Sequence, residues 1–198
     1  MKLRFFIFTV LLFLFSGCIY IRMTHLSKQD LEWIKPYNLS KTYEFISNEG
    51  NVSRMDYTSK FIANSTDPFY FSSAGDWTYE ANASYDFQIK SKADTIDGSF
   101  GVKKFLDAPT LSMRFNLGAR FSKYKDGFLN QYAPLKPIVF KHNGKTFRDC
   151  VIADSTNSRY SPHWRYKATE RVETFVISKK YGLIYYKFED GEEFFRKF

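Results

Sequence analysis

Apolar and polar side chains alternate along much of this chain with a period of two, the repeat of a half-buried β-strand and not of a helix. Over residues 77–90, Trp77, Tyr79, Ala81, Ala83, Tyr85, Phe87 and Ile89 alternate without exception with Thr78, Glu80, Asn82, Ser84, Asp86, Gln88 and Lys90. Residues 111–121 repeat the pattern, with Leu111, Met113, Phe115, Leu117, Ala119 and Phe121 opposing Ser112, Arg114, Asn116, Gly118 and Arg120. Further strand signals cover residues 43–47, 51–62, 94–105, 138–141, 146–153, 171–179, 183–188 and 193–198. Asn48-Glu49-Gly50, Asn143-Gly144, Tyr181-Gly182 and Asp190-Gly191 are connections of hairpin length that carry residues tolerant of positive φ. Short hairpins imply antiparallel order. Twelve-residue strands are about 40 Å long and a sheet built from them twists, so the expected fold is mainly β, a curled antiparallel sheet or barrel. Residues 64–76 and 155–167 have no clean period and read as loops.

Ahead of the first strand, Ser27-Lys28-Gln29-Asp30 has the spacing of a capping box, and Leu31-Glu32-Trp33-Ile34 supplies apolar-faced turns before Pro36. A short N-terminal helix is expected there, with Trp33 and Ile34 packed on the domain. The pattern changes again at the very start of the chain. Residues 5–15 are apolar apart from Thr9 and follow Lys2 and Arg4, which keep the amino end in the cytoplasm. Such a run is roughly 16 Å long as a helix against about 30 Å of hydrocarbon, which suits a signal peptide over residues 1–17 better than a membrane span.

The segment Phe15-Ser16-Gly17-Cys18 resembles the lipobox of bacterial lipoproteins, departing from it where Phe15 stands for the usual Leu, Val or Ile. The resemblance implies cleavage before Cys18, acylation of its sulfur, and a lipidated tether over residues 18–26. Membrane lipid is then the first partner, because each buried methylene of an acyl chain contributes about 0.8 kcal/mol. A chain rich in Lys, Asn, Phe, Tyr and Ile also resembles small envelope lipoproteins of Bacteroidota, which implies an outer-membrane location facing the periplasm. Ile19 stands where other bacteria use Asp to retain lipoproteins at the inner membrane, which accords with onward sorting. The competing interpretation is an uncleaved signal anchor over residues 5–21.

Composition narrows the classes of function. The net charge is +8, and removal of Lys2 and Arg4 with the signal peptide leaves +6, spread in short clusters among acids and aromatics. No continuous basic stripe suggests nucleic acid as a partner. Residues 27–198 are long enough for one β-rich domain with a substantial core. If Cys18 carries lipid, Cys150 has no intramolecular partner and is expected to be buried and inert.

No constellation of catalytic residues stands out. His25, His142 and His163 lie far apart without metal-ligand spacing, so neither metal nor cofactor is expected. Gly98-Ser99-Phe100-Gly101 lacks the spacing of a nucleophile elbow, and Glu189-Asp190 and Glu192-Glu193 bracket a turn where carboxylates are solvated. The cluster to test for binding is His163, Trp164, Arg165 and Tyr166, whose rings and guanidinium suit a sugar or an anionic headgroup. The expectation is a non-enzymatic envelope lipoprotein with a binding or structural role, taking an apolar ligand, a glycan or an envelope protein as partner. An outer-membrane β-barrel is the alternative, with Trp77 and Tyr79 on one side and Tyr85 and Phe87 on the other as aromatic girdles around Ala81 and Ala83.

Overall fold

The computed structural model describes residues 22–66, 78–91, 95–107, 110–117, 133–154 and 172–198. Their elements run β1 (Arg22–Met23), α1 (Lys28–Leu31), β2 (Thr42–Ser47), β3 (Val52–Ala63), β4 (Thr78–Tyr79), β5 (Asn82–Lys90), β6 (Thr95–Lys104), β7 (Leu111–Leu117), β8 (Ala133–Pro134), β9 (Ile138–His142), β10 (Lys145–Ala153), β11 (Val172–Ser178), β12 (Gly182–Phe188) and β13 (Glu193–Arg196). The fold is mainly β, as the alternation implies. One 11-stranded sheet has the order β8-β7-β6-β5-β3-β2-β13-β12-β11-β10-β9, and β1 with β4 forms a separate parallel pair.

Every ladder of the large sheet is antiparallel, so its two edge strands, β8 and β9, point the same way. Only Leu135, Lys136 and Pro137 separate them. They are two halves of one extended run that leaves β7 and joins β10. Laid flat, the outer strands of such a sheet would stand about 48 Å apart, whereas the run from Pro134 to Ile138 reaches at most about 14 Å. The sheet therefore curls until its edges meet at this run. Among the described residues β8 and β9 do not pair with each other, and the ladder stays open at a seam flanked by Pro134 and Pro137, which have no N–H to offer.

The inside of the curl is one apolar core. Phe45, Met55, Tyr85, Phe87, Phe100, Phe175 and Ile177 are fully buried in it, drawn from both halves of the chain. The apolar face from Tyr79 to Ile89 points inward, and Asp86 and Lys90 look out. Tyr79, Tyr85 and Phe87 thus belong to the core, and the orientation in which they would form girdles facing lipid is not the one adopted. The alternation holds throughout, but the strand is interrupted between β4 and β5, where the N–H of Ala81 donates to the Thr24 hydroxyl at 2.8 Å instead of to a strand.

A second apolar cluster lies outside the curl. Phe140 packs on Tyr185 with ring centroids 5.3 Å apart, and His142 stacks on Phe195 at 4.6 Å. Those partners sit on β12 and β13, well away from β9 in the sheet order. The β9–β10 hairpin thus folds back over the outer face of β11–β13, covering Val176, Ile184 and Tyr185. A bulge between Phe147 and Cys150 makes the bend, with Asp149 at φ 54°, in the left-handed region. Strands β11 and β12 are consequently buried on both faces, which explains why Leu183-Ile184-Tyr185-Tyr186 is a continuous apolar run.

The left-handed conformation at Asp149 gives a direct test of this bend. Asp149→Val is expected to cost roughly 1–2 kcal/mol, because a β-branched side chain clashes with the local backbone there. Asp149→Gly, which adopts that φ freely, should match or exceed wild-type stability in urea denaturation.

Candidate functional site

The residues singled out for binding, His163, Trp164, Arg165 and Tyr166, lie outside the described residues, as does Cys18. Of the other histidines, His25 is exposed, and His142 is committed to ring stacking at the tip of the folded hairpin. Cys150 is a free, buried thiol whose pKa burial pushes up to about 11, so it is protonated at neutral pH and inert. Among the described residues no group of three or more His, Cys, Asp or Glu could hold a metal.

The residues that do converge lie where the N-terminal segment seats on one end of the curled sheet. Thr24 donates from its N–H to the Tyr79 carbonyl at 2.9 Å and from its hydroxyl to the Lys104 carbonyl at 2.9 Å. Leu26 and Asn64 exchange two hydrogen bonds, 2.8 Å into the Asn64 Oδ1 and 3.0 Å back to the Leu26 carbonyl. The Ser27–Asp30 capping box forms, with bonds of 2.7 and 3.2 Å, but opens only the single turn α1, which tightens into a 3-10 turn over Glu32–Ile34. That short element delivers Trp33 and Ile34 into the core, where the Trp33 ring meets Phe100 at 6.1 Å.

Three ion pairs hold this end together. Asp30 meets Lys104 at 2.6 Å, Glu32 meets Lys179 at 2.9 Å, and Glu80 meets Lys103 at 2.6 Å. Partial burial raises the Asp30 pKa, yet the Lys104 ammonium and the Ser27 N–H outweigh it and leave the carboxyl below its ordinary value. Glu32 and Glu80 are held low in the same way by Lys179 and Lys103. These carboxylates are stabilised as anions, the opposite of what a general acid needs. Beside them, a cleft of about 680 Å³ is lined by Lys35, Arg148, Lys179 and Lys180 as well as Glu32 and Asp149.

Directly below the N-terminal segment lies a group that sequence reasoning missed as a site residue. Arg196 is buried on the inner face, its guanidinium carbon 3.8 Å above the centre of the Tyr43 ring, with Nη1 donating to the Tyr181 carbonyl. Tyr43 in turn meets Tyr57 at 5.7 Å, and Tyr57 meets Tyr85 edge-on at 5.1 Å. Pro36 and the Tyr57 hydroxyl press on Gly182, where an added Cβ would overlap that hydroxyl. The available signal was parity: Arg196 shares a face with Phe194, two residues earlier, and Phe194 is a core residue.

Asp30 makes the seating of the N-terminal segment sensitive to acid. A carboxyl with a depressed folded-state pKa contributes stability above its unfolded value, and that contribution is lost as pH falls from about 4 through the folded value. The drop in thermal midpoint between pH 5 and pH 3 should therefore be smaller in Asp30→Asn than in wild type, by scanning calorimetry. An equal drop in both proteins would mean that the pair with Lys104 contributes nothing. No protein-family model, curated protein or solved structure matches this chain.

Proposed function

We propose that this chain is a lipid-anchored protein of the bacterial envelope, whose β domain works by binding and not by catalysis and sits flush on the bilayer through acyl chains on Cys18. The observation that carries this reading is the absence of slack after the lipobox-like segment. Arg22 already belongs to β1, on the parallel pair with β4, and Leu26, Asp30 and Trp33 are each fixed to the sheet. From Cys18 to Arg22 an extended chain covers at most about 14 Å. A domain joined so closely to a lipid anchor presents its tethered end to the headgroups.

Charge distribution supports the same orientation. Arg22, Lys28, Lys35, Lys179 and Lys180 gather around the tethered end; Arg22 pairs with Asp107 and Lys179 with Glu32, so Lys28, Lys35 and Lys180 are the charges that favour an anionic lipid surface. The turns at the opposite end, residues 48–51 and 189–192, carry Glu49, Glu189, Asp190 and Glu192 and no cation. They are fastened together by Asn51 Nδ2 on Glu192 at 2.9 Å and by the Glu193 N–H on Asn48 at 3.1 Å. An acidic end turned away from the bilayer avoids repulsion that the reverse orientation would incur.

Counting thiols tests the anchor. Under denaturing conditions the mature wild-type protein should yield a single reactive thiol, that of Cys150, and none while folded, because Cys150 is buried. Palmitate labelling and membrane association should both be lost in Cys18→Ser. Two reactive thiols in a denatured chain that retains residues 1–17 would overturn the proposal.

A further inference from the structure

Among the described residues the buried polar side-chain atoms are paired apart from the Nε of Arg114 on β7 and one group inside the curl. The Tyr186 hydroxyl lies 2.6 Å from the Ser53 hydroxyl, and the Tyr79 hydroxyl accepts the Ser65 N–H at 2.7 Å. The hydroxyls of Tyr57 and Tyr85 and the Nε of Arg196 are buried with no hydrogen-bond partner. These three groups share one place. Tyr57 and Tyr85 pack edge-on at 5.1 Å, Tyr43 meets Tyr57 at 5.7 Å, and the Arg196 guanidinium lies 3.8 Å above the Tyr43 ring. Arg196 donates to the Tyr181 carbonyl while the Tyr57 hydroxyl presses on the neighbouring Gly182.

What this cage lacks is an acceptor with negative charge. The guanidinium is stacked on Tyr43 and approached by Phe198 at 5.2 Å, and no carboxylate of the described residues pairs with it. Burial lowers its pKa, as expected for a cation held away from water without a counter-ion. A water molecule could accept from the donors but would leave the charge unbalanced; an anion answers both needs at once. We propose that the cage formed by Arg196, Tyr57, Tyr85 and Tyr43 binds one small monovalent anion, a chloride or a carboxylate group, through two phenolic O–H donors and the Arg196 Nε–H. The ring of Tyr43 keeps the guanidinium oriented, and Pro36 and Tyr37 of the N-terminal segment roof the site, Tyr37 meeting Tyr57 at 5.5 Å. This inference is independent of the lipid anchor, since it concerns only residues within the sheet and its roof.

The test uses the full-length chain in detergent. Chloride replaces gluconate at constant ionic strength while the thermal midpoint and the chloride-35 NMR line width are followed. Wild type should show a saturable rise in midpoint and an excess line width. Tyr85→Phe, which deletes only a hydroxyl, should weaken chloride binding about tenfold, and Arg196→Gln should abolish it. If Arg196→Gln fails to fold, Tyr85→Phe and Tyr57→Phe carry the comparison. Competition by acetate would extend the site to carboxylates and its absence would restrict the site to halide, and either result upholds an anion site. A midpoint insensitive to chloride, or a dependence identical in wild type and Tyr85→Phe, would overturn the proposal and leave a water or an empty cage.

Discussion

The short run through Leu135, Lys136 and Pro137 is the constraint on which the rest of the architecture depends. Because β8 and β9 are consecutive in the chain yet lie at opposite edges of the sheet, the eleven strands between and including them must wrap around a common interior. Wrapping turns one face of every strand toward the same space, which is why residues as distant as Phe45, Phe100 and Phe175 share a core. Among the described residues the ladder is not closed between β8 and β9, and Pro134 and Pro137 beside that seam have no N–H to offer.

A curled sheet of this kind leaves two open ends and an exposed outer face, and the chain deals with each separately. The segment from Arg22 to Tyr37 covers one end, using few residues but many long-range polar contacts, from Thr24 on Lys104 to Glu32 on Lys179. At the other end, the acidic turns are fastened through Asn48 and Asn51. Outside, the bulge at Asp149 swings β9 and the first half of β10 across Val176, Ile184 and Tyr185. Apolar surface that the inner core could not take is buried by this second layer.

The aromatic richness of the chain has its physical meaning in this arrangement. Rings of Tyr43, Tyr57, Tyr85, Phe87 and Phe100 fill the interior in a chain of tilted and edge-on contacts, each contributing a large apolar area and a modest quadrupolar attraction. Tyrosine also brings hydroxyls into the core, where those of Tyr79 and Tyr186 find partners. The three orphaned groups around Arg196 mark the point where the interior departs from simple packing. Buried cations are costly, and this one is held against a tyrosine ring and the Tyr181 carbonyl and not against a carboxylate of the described residues.

The strands, their antiparallel order, the hairpin turns at Asn143-Gly144 and Asp190-Gly191, and the capping box at Ser27 were all legible in the sequence, because each depends on residues within a few positions of one another. The two-residue pieces β1 and β8 were not, since so short a strand has no period to read. Neither was the break at Ala81, where the partner is Thr24, far away in the chain. The sequence by itself determined which side chains share a face of each strand, down to the parity that sets Arg196 beside Phe194. Only the tertiary structure decided which face points inward, that the run from β8 to β9 bridges two edges, and that Arg196 lies over Tyr43. Those outcomes rest on pairings between distant strands, and a local alternation of apolar and polar residues is the same whichever partner the strand finally meets.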